Sequence, residues 1–502
     1  MKLLIRMLLV TSLMLGLVSV ATAQENTLIV ARAVDATGLD PHTQTAFASL
    51  RLLELIYEPL VTTNQNLELT PALAESWAFS EDGMTLTFTL REGVTFHDGS
   101  ALTSADVQAT FERILDEETG SAAASNYASI ESIETPDDLT VVFNLSTQDA
   151  PILSALTSTN AVILSSDVIA EEDPALVTVG TGPFMLDEWR PDEQTTLSAN
   201  ADWWGEGPFV DGVEIRIIPD EASILAALRA GTVDFALLSD PLVATLIPAD
   251  GELILDRIPT LSYYVLQLRA AAEPLGDEAV RQAISCAIDR QQVVDTAALG
   301  EGAVTGPLTM ASFALPTDEL FCYQQDVERA RELLAEAGLE DGFALPTIVA
   351  SAEPPVATSV AQNLQAQLAA VGIEMEIETM ELGTYVDRWL AGDFTAAVAL
   401  NGGRIDPYTM YSRYWQNDAQ FQTTAGYIDD TLDTLMADGQ VETDPEARYE
   451  IFAEFQQHLA ETSPWVWLYS GFTYTARQPY VVDWNPNASD SLYFLSSVQL
   501  DR

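Results

Sequence analysis

The stretch from Pro71 to Leu115 carries the clearest alternation of apolar and polar positions in the chain. Met84, Leu86, Phe88 and Leu90 alternate with Thr85, Thr87 and Thr89, the period-two pattern of a half-buried strand. Glu81-Asp82-Gly83 before it and Arg91-Glu92-Gly93 after it are tight-turn signals. Val94 and Phe96 predict a short second strand, and His97-Asp98-Gly99-Ser100 another turn. Thr103 followed by Asp106 predicts a helix N-cap with an acid three residues on. Val107, Thr110, Phe111, Ile114 and Leu115 give that helix one apolar face, ending near Leu115.

The same periods recur along the rest of the chain. Thr27 to Ala33 reads as a strand, Ser49 to Tyr57 as an amphipathic helix, and Thr140 to Leu145 as a strand. Strand 213–218, helix 220–230 and strand 233–238 form a β-α-β unit. Leu261 to Leu268 is a strand rich in aromatics, and Glu278 to Ala298 reads as one long helix. In it Val280, Ala283, Ile284, Ala287 and Ile288 fall on one stripe. Beyond Asp326, helices and strands alternate up to a strand at 394–400, and two helices precede a buried strand from Pro464 to Tyr469. Alternation of this kind predicts an α/β protein with parallel or mixed sheets.

Composition narrows the picture. With 502 residues, 48% of them apolar, the chain is too long for one ordinary domain and can bury more than one core. Lys2 and Arg6, the apolar run Leu8 to Val20 and the small residues Ala21-Thr22-Ala23 read as a secretory signal, with cleavage before Gln24. No cysteine follows that site, which argues against a lipid anchor, and the periplasm is the expected location. The formal net charge of -55 repels phosphate and excludes a nucleic-acid partner. It reads as a solvated surface suited to salty surroundings, with a weak preference for cationic or neutral solutes as the alternative. Lys2 is the single lysine, so a mature chain has no Schiff-base lysine. Cys286 and Cys322 are an even pair, either one disulfide or two buried thiols, with no spacing for a metal.

Several motifs resemble one family closely. These are Leu73-Ala74-Glu75-Ser76-Trp77, Leu90-Arg91-Glu92-Gly93-Val94-Thr95-Phe96-His97-Asp98-Gly99 and Val280-Arg281-Gln282-Ala283-Ile284-Ser285. The capped helix from Asp326 to Gly338 and the Pro464-Trp465 strand add to them. The chain resembles the extracytoplasmic solute-binding proteins of peptide-type ABC importers, over almost its whole length past the signal. The resemblance implies a two-lobe periplasmic-binding-protein fold of class II, the large peptide-binder type, with an extra inserted subdomain in the first lobe. The implied division is a signal at 1–23, lobe I at 24–59, 182–269 and 479–502, the inserted subdomain at 60–181, and lobe II at 270–478. The implied partners are a short peptide or another small molecule and an ABC permease in the inner membrane, with a monomeric binding protein and no cofactor.

The expected ligand contacts follow from the same resemblance. Asn401, Gly402, Gly403, Arg404 and Asp406 lie just past a strand's carboxyl end, where open α/β sheets bind ligands. Many peptide binders of the family carry, four residues before the proline, an aspartate that pairs with a peptide's amino group; here that position is Gly403. Arg404 is instead placed to meet a carboxylate through its planar fork. Tyr263 or Tyr264 should face the cleft, one only, because strand side chains alternate; packing of both in the core is the other reading. Tyr127, in a polar loop, is a further candidate for the cleft wall, against a plain surface aromatic. Loop 36–41 is either a border of the cleft or a simple turn. Gly180-Thr181-Gly182-Pro183-Phe184 lacks the lysine and third glycine of a phosphate loop. His42, His97 and His458 form no metal pair, and no Gly-x-Ser-x-Gly elbow occurs. No catalytic or metal residue is therefore assigned, and a secreted hydrolase is the distant alternative to binding. Within the binding reading, a non-peptide solute (an opine, a glycoside or a metal chelate) is the alternative to peptide.

Overall fold

The computed structural model describes residues 26–502 apart from 122, 250, 351–355, 418, 420 and 490; the expected signal segment lies outside them. Its backbone is a mixed sheet of twelve strands. They are β1 (Thr27–Arg32), β2 (Phe184–Arg190), β3 (Gln194–Ala199), β4 (Gly212–Ile217), β5 (Phe235–Leu238) and β6 (Ile254–Pro259). Then come β7 (Tyr263–Leu268), β8 (Gly302–Val304), β9 (Phe343–Ala350), β10 (Ile373–Met380), β11 (Ala396–Asn401) and β12 (Trp465–Arg477). The spatial order is β10-β9-β11-β7-β12-β5-β1-β4-β3-β2, with β6 and β8 also paired to β12. Strands β4, β1 and β5 run parallel in one half, and β10, β9 and β11 run parallel in the other.

The two halves share strand β12. Its 13 residues span about 40 Å at a strand's rise, enough to serve both. Trp465, Val466, Trp467 and Tyr469 pair antiparallel with β7, while Phe472 to Arg477 pair with β6. The chain crosses a second time between β6 and β7, at Thr260–Ser262, where the Thr260 amide donates to the Gly471 carbonyl at 3.0 Å. The division implied by the resemblance sets its boundaries a few residues later, at 269 and 478. At the second crossing strand β12 runs unbroken, so no loop marks the boundary there. The tail then docks on the first half: Trp484 meets Phe235 edge to face, and Tyr480 and Arg502 both donate to Asp234.

A separate antiparallel sheet, in the order Ala74–Phe79, Thr85–Leu90, Thr140–Leu145 and Ile130–Asp137, carries its own core. Leu86, Phe88 and Leu90 are buried as the alternation predicts. Helix α1 (Ser104–Leu115) covers them and is opened by a reciprocal capping box between Thr103 and Asp106. His97 fixes the turn before it, donating from Nε2 to the Gly182 carbonyl and accepting the Gly180 amide at Nδ1. Burial lowers the His97 pKa and keeps the ring neutral. Gly180 is needed for contact: a Cβ there would lie 2.0 Å from the Ile56 carbonyl oxygen.

Glu58 ties four stretches of the first half together. Its fully buried carboxylate accepts from Trp203 and Trp204 indoles, the Thr181 hydroxyl and the Tyr493 hydroxyl at 2.9–3.2 Å. Burial still pushes its pKa up to about 7, and no cation among the described residues pairs with it. In the second half, the expected long helix forms as two, α2 (Glu278–Cys286) and α3 (Arg290–Ala297). Asp289 interrupts it by adopting an extended backbone and capping the Gln292 amide. Cys286 and Cys322 are joined by a disulfide.

Candidate functional site

The parallel strands of each half end at the same edge of the shared sheet. Asn401, last in β11, sits opposite Tyr263, first in β7 and next to the crossing. Leu238, last in β5, sits opposite Tyr474, three residues past Gly471. The loops after β1, β4, β5, β10 and β11 therefore lie along one edge of the sheet, the position where open α/β sheets take ligands. On one flank the halves touch: the Ala150 amide donates to the Gln440 carbonyl at 2.9 Å, on α5 (Asp430–Val441), an element of the second half.

The loop from Asn401 to Asp406 leads into helix α4 (Pro407–Trp415). Asp406 is 1% exposed. It caps α4 by accepting the Tyr408 and Thr409 amides and pairs bidentately with Arg448 of α6 (Pro445–Thr462), at 2.6 and 3.1 Å. Its expected contact with a ligand is thus corrected: cap and buried ion pair occupy it. Asn401 is also buried and donates weakly to the Tyr263 hydroxyl at 3.4 Å.

Gly402, Gly403 and Arg404 are the expected residues of this loop that are not buried. A Cβ on Gly402 would meet nothing within 4 Å, so this residue faces open space. A Cβ on Gly403 would lie 1.9 Å from the Leu261 carbonyl oxygen, in the crossing itself. Arg404 is exposed and makes no ion pair with a described residue. The protein around it, first, and Arg413, second, lower its pKa.

Arg413 is the residue the motif reading missed. Its Nη2 donates to the Gly402 carbonyl at 3.2 Å, and its guanidinium lies 4.9 Å from the Tyr414 ring centre. Its Nε is buried without a partner. A sequence signal existed: neither Arg404 nor Arg413 has an acid three or four residues away, in a chain with 76 acidic residues.

The expected tyrosines fare differently. Tyr263 and Tyr264 do point to opposite faces, but helices cover both faces of β7 and both rings are buried. Tyr264 stacks on Tyr469 with ring centres 4.6 Å apart, and Tyr263 joins an aromatic cluster with Tyr411. Tyr127 is corrected as well: it is 0% exposed, packs edge-on against Phe111 and donates to the Ala155 carbonyl. It is a core residue of the small sheet, neither cleft wall nor surface aromatic.

The sequence profile described as "Bacterial extracellular solute-binding proteins, family 5 Middle" matches residues 68–422. The chain belongs to this family. It is similar to protein XP55 of Streptomyces lividans, 31% identical over 432 residues that cover 80% of this chain and 76% of the relative. Two solved structures align with it over 95% of its length. One is the periplasmic binding protein DppA of Helicobacter pylori in complex with the peptide STSA, with TM-score 0.74, 26% identity and 98% of that chain covered. The other is AgaA of A. tumefacien R10 in complex with agropinic acid, with TM-score 0.75, 28% identity and 99% covered. This family 5 protein therefore has the class II periplasmic-binding-protein fold and is the substrate-binding component of an ABC importer. It is a binding protein and not an enzyme. Among the described residues, no helix is long and apolar enough to cross a membrane.

Proposed function

We propose that this chain captures short peptides in the opening between its halves and delivers them to a membrane permease after hinge closure. The observation that carries the reading is the pair of crossings, at Thr260–Ser262 and Ser470–Gly471, directly beside the exposed Gly402–Arg404 loop. A solute held by that loop and by the facing half gains its full contacts only when the halves close, so its binding energy shifts the open–closed equilibrium. A peptide backbone can approach Gly402 without meeting a side chain. The protein would act after export, as a periplasmic monomer freed of residues 1–23, with 60–181 as a subdomain of the first lobe.

A non-peptide acid is the second reading. It is favoured by the tight seat of Gly403, which leaves no room for an amine-binding side chain, and by the agropinic acid complex of AgaA. Native mass spectrometry of protein purified from an exporting host, with denaturing release of bound molecules, separates the two. A ladder of short-peptide masses supports the first reading. One discrete non-peptide mass replaces the peptide with that solute and keeps the transport role.

A further inference from the structure

The loop that faces the opening is positive in a strongly acidic protein. Its one acid, Asp406, is turned inward onto Arg448 and the start of α4. Position 403 cannot carry any side chain, because the Leu261 carbonyl oxygen occupies the space of its Cβ. That carbonyl is itself fixed, accepting the Thr309 hydroxyl at 2.7 Å. What remains to meet a solute here is Arg404, exposed, and Arg413, held against Gly402 and Tyr414.

The contrast with other arginines of the chain is informative. Arg32, Arg113 and Arg477 sit within 3.1 Å of an aspartate. Arg404 and Arg413 meet no carboxylate among the described residues, and each is instead flanked by the other and by neutral tyrosine. Two cations placed side by side repel each other unless an anion joins them.

We propose that the solute of this binding protein presents a carboxylate to Arg404 and Arg413, and that these two residues select against a solute with a free ammonium at that end. This rests on the importer reading above and specifies its ligand. A carboxylate suits the site better than a phosphoryl group. The first free amides of α4, which would help to bind a dianion, are already taken by Asp406. Arg404 supplies the fork that meets the carboxylate oxygens, and Arg413, anchored through Nη2, offers its remaining donors from the side.

The test uses the full exported chain and three matched probes: Ala-Ala, N-acetyl-Ala-Ala and N-succinyl-Ala-Ala. Calorimetry gives affinity, nitrogen-labelled arginine side-chain signals report the site, and solution scattering reports closure. N-succinyl-Ala-Ala should bind at least about tenfold more tightly than Ala-Ala, and Arg404→Gln or Arg413→Gln should each remove about that factor, the size of one charged hydrogen bond. Arg404→Lys should restore part of the loss. Equal or tighter binding of Ala-Ala, with closure, overturns the carboxylate assignment and leaves the importer reading standing. Absence of any saturable arginine shift with N-succinyl-Ala-Ala up to millimolar concentration overturns it too. If no solute of any charge closes the halves, the importer reading fails and this inference falls with it.

Discussion

Replacing Glu58 with glutamine gives a sharp test of how the first half is held together. The carboxylate accepts from two indoles and two hydroxyls, and no cation among the described residues offsets its burial. Its pKa is pushed up from 4.5 to about 7. Between those values the folded chain holds a proton that the unfolded chain has released. Stability from this group is therefore fully present below about pH 4.5, falls as pH rises toward 7, and stays low above it. The gap corresponds to about 3 kcal/mol. A glutamine cannot ionise, so that decline disappears. Its amide nitrogen cannot accept, however, and leaves one indole N–H unpaired at a cost of about 1–3 kcal/mol. Glu58→Gln should therefore be less stable than the parent by about 1–3 kcal/mol at pH 5 and should converge on it near pH 8. Urea unfolding at fixed ionic strength, followed by tryptophan fluorescence, reads this. Glu54, buried and also raised to about 7, keeps part of the slope in both proteins. An unchanged slope between pH 5 and 8 in the variant would refute the assignment of Glu58 as a buried acid that titrates in this window.

Three further outcomes are expected. Gly403→Ala should destabilise by about 1–3 kcal/mol, as overpacking does, while Gly402→Ala should change stability by less than about 0.5 kcal/mol; thermal unfolding compares them. Arg448→Ala should cost about 3–5 kcal/mol because it strands the buried Asp406 carboxylate, and Asp406→Asn with Arg448→Met together should recover much of that in denaturant titrations. Reduction, or Cys286→Ser with Cys322→Ser, should cost about 4 kcal/mol for a loop closed over 36 residues, measured as a lower unfolding midpoint of the second half.

The fold was legible where local chemistry and tertiary packing agree. The Thr85–Leu90 alternation and the Thr103–Asp106 cap each became the predicted element with the predicted face buried, and the stripe from Val280 to Ile288 is buried although its helix ends at Cys286. Two things were not legible. One crossing is a three-residue link between strands and the other lies inside an unbroken strand, and only pairing partners show where one half ends. The fate of the polar loop residues was hidden for a related reason. Asp406 and Tyr127 have the composition of binding residues, but a distant Arg448 and a nearby Phe111 claim them in three dimensions. Arg413 shows the converse: it lies outside any recognisable motif, and its meaning rests on the acids it lacks.

Strand β12 also has a consequence for how the chain acquires its shape. A polypeptide that emerges amino end first, from a ribosome or through a membrane channel, has nearly all of both halves before residue 465. It still lacks the strand to which β5, β6, β7 and β8 pair. Until that last segment arrives, each half exposes an unpaired sheet edge, and neither can settle. Completion of the two halves is thereby coupled to a single late event near the carboxyl end. Such a chain stays threadable for almost its full length and then locks at once, and a truncation before Trp465 would leave both halves open together.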